Sequence, residues 1–325
     1  MKTLEKMKLK SFVPFILLLL VTACTAPYKN LTKINSMNEL KYDYAVHYAD
    51  LSGDIKLAYV DEGKGKETIL MIHGLGSYLP AWKKNISELS KYYRVIAVDL
   101  PGYGKSSKLP HSGLMSFYAG VIAEFIQKLD LGPVNLAGHS MGGQISMVLA
   151  LEKPELVKRL ILVDPAGFEA FTAGQRNWFK DVMTPNLVRL TTVDAIETNL
   201  ASNFYRMPDD ARFMIEDRIA MRDASDFEAY CLAVARSVHG MVEEPVLEKL
   251  TRIKMPTLIF FGENDMLIPN RYLNPGFTSK IANTGAGLIK GSKLVMVPKC
   301  GHFMMFEKPD VFNTVTAPAP KGAAH

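Results

Sequence analysis

The stretch VNLAGHSMGGQ, Val134 to Gln144, sets one serine between two glycines directly after a short apolar run. A Gly-x-Ser-x-Gly pattern is short enough to arise by chance, so its meaning depends on its surroundings. Similar runs recur along the chain, as TILMIHG, RVIAVDLPG, RLILVDPAG, TLIFFGEND and KLVMVPKCGH. Each is β-branched or aliphatic and ends in Gly, Pro or Asp, which suits strands buried on both faces of a parallel sheet. Helical patterns alternate with them, which predicts one mostly parallel, doubly wound α/β domain. Before these, YDYAVHYA and IKLAYV flank Ser52-Gly53-Asp54 and read as an antiparallel hairpin.

Between Phe168 and about Leu250 the strand runs stop. Segments such as PNLVRLTTVDAIETNLASNFY and DARFMIEDRIAMRD carry helix-spaced apolar positions instead. A block that leaves a sheet and returns to it reads as a helical cap over the carboxyl ends of the strands, where open α/β sheets bind ligands. The expected organisation is a core over 41–167 and 251–313, a cap over 168–250, and a disordered tail over 314–325.

The first residues stand apart from this globule. Four lysines precede FVPFILLLLVTAC, an apolar stretch short for a bilayer span, so residues 1–23 read as a secretory signal. Val21-Thr22-Ala23-Cys24 resembles the lipobox of bacterial lipoproteins, which implies acylation of Cys24, a lipid anchor and a linker over 24–40. Thr25 after the cysteine favours an outer membrane in a cell that has one. A plain secretory signal with an incidental cysteine, or a retained signal anchor, are the competing readings. Removing residues 1–23 lowers the formal charge from +5 to +2, so the basicity lies mostly in the signal and no nucleic-acid partner is implied. Cys231 and Cys300 remain, without metal-ligand spacing. They are either a disulfide of an oxidising compartment or two buried small hydrophobes.

A serine on a tight turn between a buried strand and a helix needs small neighbours two residues away, and Gly138 and Gly142 supply them. The following helix, expected from about Gly142 to Leu151, aims its amino end at Ser140 and favours negative charge there. A serine hydroxyl becomes a useful nucleophile only with a base oriented by a carboxylate. Strand ends offer both, Asp265 in FFGENDMLIP and His302 in VPKCGHFMMFEKP.

The order Ser140, Asp265, His302, together with MIHGLG and VDLPGYGKSS, resembles the α/β-hydrolase superfamily from about Tyr44 to Val311, in its capped serine esterase and lipase-like branch. The resemblance implies an oxyanion hole formed by the backbone N–H groups of Leu75 and Met141. It implies no metal or organic cofactor.

Other strand-end residues compete for roles. Asp164 is a rival acid, because some capped hydrolases carry theirs after the preceding strand; the family pattern favours Asp265. Asp99 reads as a turn residue before Pro101-Gly102, His73 as a brace for the oxyanion loop, and His139 as a lining residue. Two features depart from the family: a long, loop-like NPGFTSKIANTGAG between Asp265 and His302, and the loss of helical pattern after Asn313.

A serine nucleophile excludes the family branches that need an elbow aspartate. It implies acyl transfer on esters, thioesters or amides, or carbon–carbon cleavage of diketone-like acids. An exported lipoprotein is badly placed for the last, an intracellular chemistry. The expected function is hydrolysis of lipidic or small hydrophobic carboxylic esters at a membrane. A carbon–carbon hydrolase, or a lipoprotein that binds without turnover, are the alternatives. The sequence leaves oligomeric state undetermined.

Overall fold

In the computed structural model, Tyr28 and residues 30–318 are described. The expected signal, Cys24 and the end of the tail lie outside them. The chain divides into two units, residues 1–31 and 32–325, and every strand and helix among the described residues belongs to the second. No helix among the described residues is long and apolar enough to cross a membrane.

Eight strands form one sheet: β1 (His47–Leu51), β2 (Ile55–Glu62), β3 (Thr68–Ile72), β4 (Arg94–Val98), β5 (Val134–His139), β6 (Val157–Val163), β7 (Thr257–Gly262) and β8 (Lys293–Val297). Their spatial order is β1-β2-β4-β3-β5-β6-β7-β8. β1 pairs antiparallel with β2 from His47↔Tyr59 to Leu51↔Ile55, closed by a tight turn in which Gly53 has φ 70°. β2 also runs antiparallel to β4, and all later pairs are parallel. The apolar runs are continuous because alternate residues feed two cores. Leu70, Ile72, Leu136 and Leu162 face one, while Ile69, Met71, Ala137 and Val163 face the other.

Three helices accompany the first part of the sheet: α1 (Lys83–Leu89), α2 (Met115–Lys128) and α3 (Met141–Glu152). Between β6 and β7 the chain forms α4 (Ala173–Val182), α5 (Pro185–Leu190), α6 (Val193–Ala201), α7 (Arg212–Ala220) and α8 (Phe227–Glu243), with no strand. Thr172, Thr184 and Thr192 cap the first three of these helices, each side chain accepting from a backbone N–H in the first turn. α9 (Thr278–Leu288), α10 (Met304–Glu307) and α11 (Pro309–Thr316) are the remaining α-helices of the described residues.

Two sequence expectations are corrected here. The supposed loop between Asp265 and His302 contains the helix α9. Its small residues Ala282 and Gly285 are buried, and a Cβ on Gly285 would lie 2.1 Å from the Phe168 ring. Close packing selects glycine there and hides the helical pattern. The chain also does not lose helix after Asn313: α11 runs to Thr316, so the first three residues of the expected tail 314–325 are ordered. Phe312 is fully buried, Asn85 Nδ2 donates to Asn313 Oδ1 at 3.0 Å, and Tyr93 Oη donates to the Thr316 carbonyl at 2.9 Å. Packing and these bonds override the weak helix propensity of a Thr/Val-rich segment.

Candidate active site

The strand–turn–helix around Ser140 is as tight as the sequence requires. Ser140 has φ 52° and ψ −118°, a strained conformation for a residue with a side chain. Its N–H donates to the Val163 carbonyl at 2.9 Å, and its own carbonyl accepts from Gly143 and Ala166 at 2.8 and 3.0 Å. A Cβ on Gly138 would lie 2.2 Å from the Gly142 oxygen, and one on Gly142 would lie 2.4 Å from the Ile72 oxygen. Both elbow glycines are therefore demanded by contact with backbone.

Ser140 and His302 line one cavity of about 320 Å³ at the carboxyl ends of the parallel strands. His302 Nδ1 lies 2.7 Å from Asp265 Oδ2, with both side chains buried. Asp265 Oδ1 accepts from the N–H groups of Leu267 and Ile268 at 2.7 and 3.1 Å. With Nδ1 committed to the carboxylate, Nε2 is the ring nitrogen left to receive a proton from the serine.

Leu75 follows β3 and Met141 opens α3. Neither backbone N–H has a hydrogen-bond acceptor among the described residues. Leu75 lines the Ser140 cavity, and the Met141 N–H sits at the positive end of the α3 dipole. His73 fixes the loop that carries Leu75. Its Nδ1–H donates to the Gly74 carbonyl at 2.8 Å and its Nε2 accepts from the Leu100 N–H at 3.0 Å. Both bonds require the neutral ring, and burial lowers its pKa accordingly.

The rival acids have other positions. Asp99 is buried and accepts from the N–H groups of Leu79 and Lys105, both at 2.7 Å, and from Tyr42 Oη at 2.5 Å. It ties loops together away from the histidine. Asp164 stands behind the Asp265–His302 pair, with one ligand atom of each of the three residues mutually within 4.8 Å. Asp164 Oδ1 accepts from the Gly262 N–H at 2.8 Å, while Oδ2 is buried without a hydrogen-bond partner. Burial first, and the neighbouring Asp265 second, push its carboxyl well above the ordinary range. This cluster is the one grouping of metal-ligand residues among the described residues, and the Asp265–His302 bond already uses two of its members.

Several supporting residues were not legible in the sequence. His139 Nε2 donates to the His302 carbonyl at 2.9 Å, so the neighbour of the nucleophile braces the backbone of the base. Burial and then the proximity of His302 drive the His139 pKa well down, so its ring stays neutral. The Gly301 N–H donates to the Glu307 carboxylate at 2.8 Å, and the Phe303 N–H to the Asn203 carbonyl of the cap at 3.1 Å. Nothing in residue spacing announces these partners, because they meet only in the tertiary structure. Cys231 and Cys300 are both free thiols and buried, so they do not pair.

A second cavity, of about 470 Å³, lies under the cap and shares Leu75, Asn199, Asn203 and Phe303 with the first. Its walls include Met183, Leu187, Ile196, Met214 and Met221. Its polar groups include Ser77, Thr191, Asn199, Asn203, Arg218 and Tyr78, whose Oη donates to Asp217 Oδ2 at 2.5 Å. The Arg218 guanidinium lies 4.5 Å from the centre of the Tyr230 ring, and its Nη1 is buried without a hydrogen-bond partner.

Comparison with known proteins agrees with this architecture. The model of the alpha/beta hydrolase fold family matches residues 67–309. A 2-hydroxy-6-oxononadienedioate/2-hydroxy-6-oxononatrienedioate hydrolase of Pseudomonas putida is 27% identical over 292 residues, covering 86% of this chain and 97% of that protein. A solved structure described as a "probable hydrolytic enzyme" from Pseudomonas aeruginosa PAO1 has a TM-score of 0.81 at 26% identity, covering 88% of this chain and 97% of that one. A membrane phospholipase A, described as a bacterial virulence factor, has a TM-score of 0.67 at 28% identity, with 83% and 84% covered. The elbow, the strand order and the family match lead to one statement: the chain belongs to the α/β-hydrolase family.

Proposed function

We propose that the protein is a serine hydrolase of carboxylic esters, acting on lipidic or other hydrophobic substrates at a membrane to which acylated Cys24 tethers it. The observation that carries this reading is the mainly apolar second cavity, which shares the wall residues Leu75, Asn199, Asn203 and Phe303 with the Ser140 chamber. A hydrophobic chain lying in it would leave its carbonyl carbon near Ser140 and its carbonyl oxygen near the Leu75 and Met141 N–H groups. The likeness to a membrane phospholipase A supports the same substrate class.

In this scheme His302 Nε2 takes the Ser140 proton as Oγ attacks the carbonyl, and Asp265 stabilises the charged ring. The proton then goes to the departing alcohol. Water, deprotonated by the same histidine, releases the acid from the acyl-enzyme and returns the proton to Ser140.

One observation favours a second reading. Arg218, with a nitrogen that lacks a protein partner, offers a charged group to a substrate carboxylate, and the Pseudomonas putida relative is named for a dioate. Carbon–carbon hydrolysis of such an acid is the alternative.

The test is a series of p-nitrophenyl esters from acetate to palmitate, with Ser140→Ala in parallel. Turnover of the longer esters that disappears in the variant is expected. Silence across the series, with turnover of a ring-cleavage dienoate, would transfer the assignment to carbon–carbon hydrolysis.

A further inference from the structure

Among the described residues, large exposed hydrophobic side chains concentrate in two segments, the cap helices α4 and α5 and the stretch from Met266 to Phe277. Trp178, Leu190, Tyr272 and Phe277 are 48%, 62%, 87% and 81% exposed, and Val182 and Leu187 are exposed beside them. Scattered surface hydrophobes are ordinary; several aromatics on two adjoining segments are not.

The two segments are neighbours. Gln175 Nε2, on α4, donates to the Leu273 carbonyl at 2.8 Å, and Asn274 Nδ2 donates to the Ala170 carbonyl at 2.9 Å. Trp178 and Val182 follow Gln175 by three and seven residues, so they share its stripe of the helix, on the side turned to the second segment. Both segments also border the cavities. Arg176, Phe179, Leu267 and Asn270 line the Ser140 chamber, and Leu187 lines the apolar one. The exposed apolar groups thus form a partial ring on segments that also wall the two cavities.

The N-terminal side of the globule meets the cap near one member of this ring, Leu190. The Asn35 carbonyl accepts from the Ser225 N–H at 2.9 Å, and the Lys33 ammonium lies 3.0 Å from the Asp223 carboxylate. Asp223 and Ser225 line a shallow surface depression together with Leu190. Cys24 precedes Thr32 by eight residues, a reach of at most about 30 Å.

We infer that this ring is a lipid-docking surface, on which the protein lies with its cavity entrance against a bilayer and takes hydrophobic esters directly from it. The inference rests on the proposed ester hydrolysis and on the tether at Cys24. The occupant is a lipid surface because the ring combines Trp, Tyr and Phe with aliphatic groups, the mixture that settles at the boundary of headgroups and acyl chains. A short tether ending beside Leu190 keeps that boundary within reach.

The full chain, reconstituted into vesicles of phosphatidylethanolamine and phosphatidylglycerol, tests this directly. The protein has two tryptophans, Trp82 fully buried in the core and Trp178 on the ring. Lipids brominated on their acyl chains should quench Trp178 fluorescence, and Trp178→Phe should abolish the quenching. Tyr272→Ser combined with Phe277→Ser should lower turnover of long-chain esters embedded in vesicles by roughly tenfold or more, while turnover of soluble p-nitrophenyl butyrate stays unchanged. Absence of quenching in the unaltered protein overturns the inference. So does a stable dimer that shields Trp178 from the brominated chains. Quenching in a protein that hydrolyses no ester supports the surface and removes the ester reading instead.

Discussion

Asp164 and Asp265 end adjacent strands with carboxyl oxygens within 4.8 Å of one another, yet only Asp265 is hydrogen-bonded to His302. The two acids therefore have separable effects. Asp265→Asn should lower kcat by roughly 10³–10⁴-fold, because the ring loses both its tautomer and its counter-charge. Asp164→Asn should leave most activity and change the pH dependence of stability. The Asp164 pKa is raised on folding, so above the unfolded value near 4 the native state holds a proton that the unfolded chain releases. Native stability falls as pH rises through that window up to the folded pKa, and asparagine removes the effect. Denaturant midpoints measured from pH 5 to 9 should show the variant gaining on the wild type as pH rises. Parallel curves would count against it.

The oxyanion donors are main-chain groups, so side-chain size at position 75 should matter little. Leu75→Ala should keep near-normal kcat, and Leu75→Pro, which removes the N–H, should lose about a hundredfold or more. Equal activity in two folded variants would remove Leu75 from the site.

Arg218 discriminates between the two substrate classes. Arg218→Ala should raise KM for substrates bearing a carboxylate while sparing neutral esters of similar length. A uniform loss across both would assign the residue to packing against Tyr230, over whose ring it sits.

The two late glycines of α9 should respond in opposite directions. A methyl on Gly285 meets the Phe168 ring, whereas Gly287 has nothing within 4 Å of a built Cβ. Gly285→Ala should destabilise by about 1–3 kcal/mol, and Gly287→Ala should stabilise by up to about 1 kcal/mol through helix propensity. Thermal or denaturant unfolding would separate them.

These positions also explain what could be read in advance. The sheet was legible because burial on both faces leaves an unbroken apolar run in each central strand. The elbow was legible because Gly138 and Gly142 answer contacts only two to four residues away in the chain or on the next strand. α9 was hidden because the residues that pack it, Ala282 and Gly285, are small rather than apolar in the usual helical pattern. α11 was hidden because its stabilising partners, Asn85 and Tyr93, lie more than two hundred residues earlier. The choice between Asp164 and Asp265 could not be made from spacing, since both follow buried strands; a single hydrogen bond decides it. Cavity walls in the cap were equally silent, because apolar residues line a void and fill a core with the same periodicity.

The bond from the Phe303 N–H to the Asn203 carbonyl has a consequence for traffic through the site. Glu307 adds to it by accepting from the N–H groups of Tyr205 and Arg206 at 3.0 and 2.8 Å, while holding the Gly301 N–H. The stretch Asn203–Arg206 is thereby fastened to the same loop that positions His302. Lifting that side of the cap would drag the base away from Ser140. A cap fastened in this way keeps the base in register with Ser140, and passage of substrate and product is expected away from Asn203–Arg206.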